Sequence, residues 1–250
     1  MSRKAIWSAQ LLVLLLCALA LKYHYSTATA DELRWILAPT AVLVELLSGK
    51  SFAFESYTGY MSSDHTFVIA APCAGVNFLI TAFLMLGVRR WWRGRFEKIS
   101  WRFIPVVAVV AYITTVITNT VRIFIALEIQ KHSVELEWLT ANQLHRLEGI
   151  VVYFGFLLML FILTERRNPT SSPVRLFLIP LFIYYATTLG IPVLNGSYKH
   201  QRFWEHSAFV LVLPLLFILC LFVAHGTATT VRGIRRCVCS VSARQDSGTQ

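Results

Sequence analysis

The chain predicts an all-α fold, a polytopic integral membrane bundle of six to eight transmembrane helices. Of its 250 residues 56% are hydrophobic and 14% charged, and the mean hydropathy is +0.60. Several apolar runs approach the roughly twenty residues that an α-helix needs to cross a bilayer. Basic residues gather in clusters between those runs rather than spreading along the chain. A soluble core does not fit this composition.

Residues 5–21 form the first apolar run, preceded by Arg3 and Lys4. Ser26-Thr27-Ala28-Thr29-Ala30 is a loose cleavage site, but the run exceeds the roughly 7–15 residues of a signal core, so a retained signal-anchor is expected. Further spans are expected at about 66–88, about 103–127, 149–164, 174–194 and 207–224. The segment 33–47 is apolar but short and interrupted by Arg34, Pro39 and Glu45. It reads as an interfacial or re-entrant piece, or as half of a second helical hairpin made with part of 50–65. The clusters Arg89–Arg95, Arg166-Arg167 and Arg232 with Arg235-Arg236 all belong in the cytoplasm under the positive-inside rule. With six crossings the inner segments hold 15 Lys and Arg against 3 Asp and Glu, leaving 8 and 10 elsewhere. That imbalance sets the orientation, with the basic segments inside and the opposite ends of the spans facing outward. The net charge of +10 is therefore a topology signal, and no nucleic-acid partner is expected. Residues 1–225 make one bundle, its motif-bearing core at about 33–165, and 226–250 read as a basic, disordered cytoplasmic tail.

Cysteine usage fits this layout. Cys237 and Cys239 fall in the tail, where thiols stay reduced, and a lone Cys-x-Cys lacks the second pair of a zinc site. Cys17 and Cys220 lie within spans. No cysteine occurs in the outward loops, so Cys73 has no disulfide partner there.

Three polar residues stand out at the edges of the apolar runs: Cys73 in Ala-Pro-Cys-Ala-Gly-Val-Asn, Arg122 in Thr-Asn-Thr-Val-Arg, and His145 in Asn-Gln-Leu-His-Arg-Leu-Glu-Gly. Counting inward along each span, Cys73 and Arg122 lie roughly 10 Å and 8 Å below the same outer edge, and His145 opens the fourth span at that level. Thiol, guanidinium and imidazole supply a nucleophile, a cation for a developing oxyanion and a proton carrier. Pro72 suits the first position of a helix, which would put Cys73 at a helix N-terminus with Asn77 one turn on. Asn119 shares a face with Arg122; Asn142, Glu148 and Gly149 are spaced to orient His145. Blander readings stand beside these. Arg122 can snorkel to Glu128 or a lipid phosphate, Cys73 can be packing, and His145 can anchor a helix at the interface. His200 and His206 compete on the same outer face within a loop that reads as a lid or substrate contact. A zinc site from His65, His145, His200 and His206 lacks any known ligand spacing. No metal or cofactor is expected.

In this order on successive spans, Cys73-Ala-Gly-Val, Asn119-x-x-Arg122 and His145-x-x-x-Gly149 resemble the exosortase/archaeosortase family of membrane transpeptidases. The resemblance covers about 33–165, and the form around Cys73 looks most like the exosortase K branch. It implies a cysteine protease or transpeptidase that cleaves a C-terminal sorting signal of exported proteins, a motif followed by an apolar helix and a basic tail. A thioester on Cys73 would then pass the protein to a membrane lipid or envelope acceptor. Arg122 would stabilise the oxyanion and His145 act as general acid and base, with Asn77, Asn119 and Glu148 supporting them or contacting substrate. Two rival readings are a non-catalytic transporter or scaffold in which Arg122 binds an anion, and a protease that hydrolyses its intermediate.

Overall fold

A computed structural model describes residues 3–94, 100–132, 141–165, 173–194, 199, 201 and 203–223. Six of its helices are long and apolar enough to cross a membrane. They are α1 (Arg3–Thr27), α3 (Val76–Gly94), α4 (Phe103–Lys131), α5 (Ala141–Glu165), a composite of α6 (Pro173–Tyr185), a π-helical turn (Ala186–Gly190) and α7 (Ile191–Leu194), and α8 (Phe203–Val223). The protein is thus a multi-pass helical bundle. The tail 226–250, with Cys237 and Cys239, and the clusters Arg166-Arg167 and Arg232 to Arg236 lie outside the described residues.

Contacts between helix ends fix the alternation of direction. Trp7 of α1 stacks on Trp91 of α3 with centroids 3.9 Å apart, and each indole donates to the other's backbone carbonyl. At this same end Arg89 Nε donates to Glu165 Oε1 at 2.7 Å, joining the C-termini of α3 and α5, and Phe177 of α6 packs on Phe222 of α8. Both partners of the Arg89–Glu165 pair are 13% exposed, so α3 and α5 are latched by a nearly desolvated ion pair. The opposite end joins the C-terminus of α1 to the start of α3 through Lys22 Nζ and Asn77 Oδ1 at 2.8 Å.

Between α1 and α3 lies the segment whose reading was open. Helix α2 (Arg34–Ser48) buries Ile36, Leu37, Thr40, Ala41 and Val44 and packs along α4. At 15 residues it is about 22 Å long, short of the roughly 30 Å hydrocarbon core. Pro39 sits inside it and has no N–H for the carbonyl of Trp35 four residues back; that carbonyl instead accepts the Tyr112 hydroxyl of α4 at 2.7 Å.

The expectation of a second helical hairpin within 33–65 is overturned. After α2 the chain forms a three-stranded antiparallel sheet, β1 (Phe52–Glu55), β2 (Gly59–Ser62) and β3 (Val68–Ile69), in the order β1-β2-β3. Phe52 pairs with Ser62 and Tyr60 with Ile69. The residues of β1 alternate half-buried and exposed, a period of two that no helix satisfies. Tyr57 (φ 66°) and Gly59 (φ 118°) take the left-handed conformations of the connecting turn. A side chain at Gly59 would lie 2.4 Å from the Ile69 carbonyl oxygen, so the β2–β3 pairing is possible only with glycine there.

Candidate active site

The sheet delivers the chain directly to Cys73. After β3, Ala71–Ala74 form a single 3₁₀ turn with Pro72 in its first positions, closed by a bond from Cys73 N–H to the Ala70 carbonyl at 2.8 Å. Gly75 then turns left-handed (φ 72°), and α3 starts at Val76. This corrects two expectations. Cys73 is not in the first turn of the membrane helix, and Asn77 is not one helical turn below it, because Gly75 breaks the helical phase between them. Asn77 binds Lys22 instead.

Helix α4 brings Asn119 and Arg122 to the turn from one buried face. Asn119, fully buried, donates its side-chain amide to the Cys73 carbonyl and accepts the Tyr153 hydroxyl on Oδ1 at 2.9 Å. A Cβ at Gly75 would lie 3.1 Å from Asn119 Cγ, so the same glycine that turns the chain also admits this contact. Arg122 Nη1 donates to the Tyr153 hydroxyl at 3.2 Å, and Nη2 meets His145 Nε2 at 2.8 Å. It does not pair with Glu128, whose carboxylate faces Lys131 and His132.

Helix α5 contributes a stripe at fourfold spacing: His145, Gly149 and Tyr153. A side chain at Gly149 would lie 3.0 Å from Arg122 Nε, so the guanidinium rests against the bare backbone of α5. That Nε is buried with no hydrogen-bond partner among the described residues. His145 Nδ1 lies 3.4 Å from Oε2 of the buried Glu148. A guanidinium only donates, so the Nε2 it meets carries the lone pair; we assign the ring proton to Nδ1, facing Glu148. The Cys73 thiol lies in the electrostatic field of the His145 ring and the Arg122 guanidinium, which places the three groups in one locality.

The three candidate catalytic residues and the three expected to support them thus lie around one locality. Cys73, Arg122, His145, Asn119 and Glu148 are linked by direct contacts, while Asn77 lines the adjoining cavity. The side chain of Asn142, and His200, lie outside the described residues. His206 of α8 lines the cavity, whereas His65 sits apart, in the β2–β3 loop with φ 54°. Two residues went unnoticed. Tyr153 joins Arg122 to Asn119, and its position four and eight residues after Gly149 and His145 was the available signal. Tyr25 also lines the cavity and lies beyond the expected first span 5–21, in the part of α1 that continues to Thr27.

The cavity holds about 220 Å³ and is bounded by Tyr25, Pro72, Gly75, Arg122, His145 and Gly149, among others. Arg122 and His145 line this recess with the Glu148 carboxylate behind the imidazole, and the turn that carries Cys73 borders it through Pro72 and Gly75. Such a set can add a sulfur to a carbonyl, stabilise the resulting oxyanion and move one proton. Comparison of the chain with protein-family models, curated proteins and solved structures gives no match.

Proposed function

We propose that the protein is a membrane-embedded cysteine transpeptidase of the exosortase type, cleaving a C-terminal sorting signal from exported proteins and transferring them to a membrane or envelope acceptor. The single observation that carries this reading is the convergence of Cys73, on the turn before α3, with Arg122 of α4 and His145 of α5, the last two in direct contact. A transporter or scaffold using Arg122 to hold an anion is less well supported, because both terminal nitrogens of the guanidinium already contact protein.

The reaction follows from the assigned proton positions. His145 Nε2 takes the proton of the Cys73 thiol while Nδ1–H faces Glu148, whose carboxylate offsets the imidazolium charge. Nε2–H and the Arg122 donor cannot share a contact, so protonation frees Arg122 Nη2 to face the oxyanion that forms as sulfur adds to the scissile carbonyl. Tyr153 keeps hold of Nη1 throughout. Collapse of the tetrahedral intermediate breaks the C–N bond, the amine leaves with the Nε2 proton, and a thioester remains on Cys73. An acceptor hydroxyl or amine then gives its proton to His145 Nε2 and displaces the thiolate, which takes that proton back and regenerates the starting state. Activation of the nucleophile and release of the oxyanion donor are thereby one event.

We place the enzyme with the sheet end outward, on the basis of Arg89 and Arg90 at the other end of α3, and in a bacterial inner membrane, as the exosortase resemblance implies. The test is trapping. In cells expressing a protein with a motif-helix-basic tail, the parent chain should carry a hydroxylamine-sensitive adduct on Cys73, His145→Ala should form it far more slowly, and Cys73→Ser should process nothing. Undiminished processing by Cys73→Ala would refute the reading.

A further inference from the structure

Beside the thiol recess lies a second and larger cavity of about 500 Å³, between α1, α3, α5, the π-helical turn and α8. The two share Asn77, Arg146, Thr188 and His206 as walls, so they adjoin. The larger one is lined by Lys22 from α1 and Arg146 from α5, with Thr81 and Thr187 between them and no Asp or Glu among the lining residues described. Neither cation has an ion pair among the described residues. Lys22 spends one proton on Asn77 Oδ1, and Arg146 makes no hydrogen bond among the described residues.

The hydroxyls narrow the choice of ligand. Thr187 and Thr188 donate to the carbonyls of Ile183 and Tyr184 at 2.9 and 2.6 Å, and Thr81 can donate to that of Asn77 at 2.8 Å. Their protons are already engaged, which leaves the ammonium and guanidinium, with the Asn77 amide and the His206 ring, as the donors that line the space. Each cation lies five residues, roughly 8 Å, from the sheet-end terminus of its helix. Leaving two unpaired cations half-buried at that depth is costly unless an anion joins them. A carboxylate offers two oxygens and is satisfied by one bidentate arginine; two multidentate cations from different helices suit a group with more oxygens and more charge.

We propose that this cavity is a phosphate-binding subsite formed by Lys22 and Arg146, which holds the phosphate of a ligand whose remainder extends toward Cys73. The π-helical turn supports it, because the widened turn brings Thr187 and Thr188 side by side onto the cavity wall, and such turns recur at ligand sites. The inference requires only the cavity and its cations, and does not depend on acyl transfer.

Cys73 serves as a reporter for the test. In the full-length chain with Cys17, Cys220, Cys237 and Cys239 changed to serine, Cys73 is modified by a sulfonate-bearing methanethiosulfonate and by a neutral one of similar size. The cations should favour the anionic reagent, and Lys22→Gln with Arg146→Gln should lower the anionic-to-neutral rate ratio about tenfold. Inorganic phosphate should lower the same ratio in the unsubstituted chain more than chloride at equal ionic strength, if a free ion can occupy the site. If only nanodiscs of phosphatidylglycerol, compared with uncharged galactolipid, lower it, the phosphate is that of a lipid headgroup. The competition needs no cation variant, so a double variant that fails to fold leaves the test intact. A ratio indifferent to phosphate and phosphatidylglycerol alike, or unchanged in a folded double variant, overturns the proposal.

Discussion

At Gly149 the missing side chain is what gives the Arg122 guanidinium its position, since a methyl group there would lie 3.0 Å from Nε. Gly149→Ala should therefore separate stability from activity. In a helix interior alanine is favoured over glycine by roughly 0.5–1 kcal/mol, so thermal unfolding should be unchanged or slightly raised. The cation, however, would be displaced by several tenths of an ångström or more, and misplacement on the scale of 1 Å can cost about a hundredfold in rate. Single-turnover cleavage beside a thermal melt checks both halves. Tyr153→Phe tests the neighbouring contact differently. It leaves the Asn119 carbonyl oxygen and one arginine nitrogen without their shared hydroxyl inside the bundle, which should cost about 1–3 kcal/mol of stability as well as activity. A Tyr153→Phe chain that melts like the parent would show that the hydroxyl is not holding the network.

At the scale of elements, the approach to Cys73 depends on a strand, a 3₁₀ turn and a left-handed glycine in succession. Gly75 and Gly49 make a matched pair for measuring this. Both have φ near +70°, but a Cβ at Gly49, the cap of α2, meets nothing within 4 Å, whereas one at Gly75 meets Asn119 at 3.1 Å. Alanine at either should cost the roughly 1–2 kcal/mol of a left-handed residue, and the excess at Gly75 in denaturant midpoints reports the Asn119 contact. The sheet carries its own pH dependence through Asp64. Lys50, the hydroxyls of Ser62 and Thr66 and the Thr66 amide hold its carboxyl well below the usual carboxylate range. A lowered folded value means that the stabilisation is complete above the unfolded value near 4 and is lost as pH falls through the folded one. Amide exchange in 50–68, normalised for intrinsic rate, should stay protected at pH 6 and loosen in strong acid, and Asp64→Asn should remove the acid step. This region was the least legible in the sequence. The helix-length apolar runs and their basic flanks were plain, but 50–69 is too short and too polar for period-two alternation to stand out, and the glycine turns that make it a sheet depend on partners distant in sequence.

Across the whole molecule, the number of crossings was legible because hydrophobic length and charge asymmetry are properties of the chain alone. The site was legible for a related reason. Cys73, Arg122 and His145 are polar groups that a membrane span tolerates only when they face one another, so their depth alone pointed to a shared layer. What depth could not give was azimuth, and Tyr153 and Tyr25 therefore emerged only once the helices were packed. The same separation makes topology the decisive global test. Six crossings, with α2 too short to add a seventh, put the exposed Ser63 of the sheet end and the exposed Ser100 before α4 on opposite faces of the membrane. In a chain whose native cysteines are changed to serine, Ser63→Cys should react with an impermeant maleimide added outside intact spheroplasts, and Ser100→Cys only after permeabilisation. If α2 crossed after all, the number of crossings between α1 and α3 would change and both positions would still flank α3. The pair would then label in reverse, Ser100→Cys from outside, while a tag at residue 1 kept its side. Scoring that tag together with the two cysteines therefore distinguishes a six-span bundle from a seven-span one, and does so without reference to catalysis.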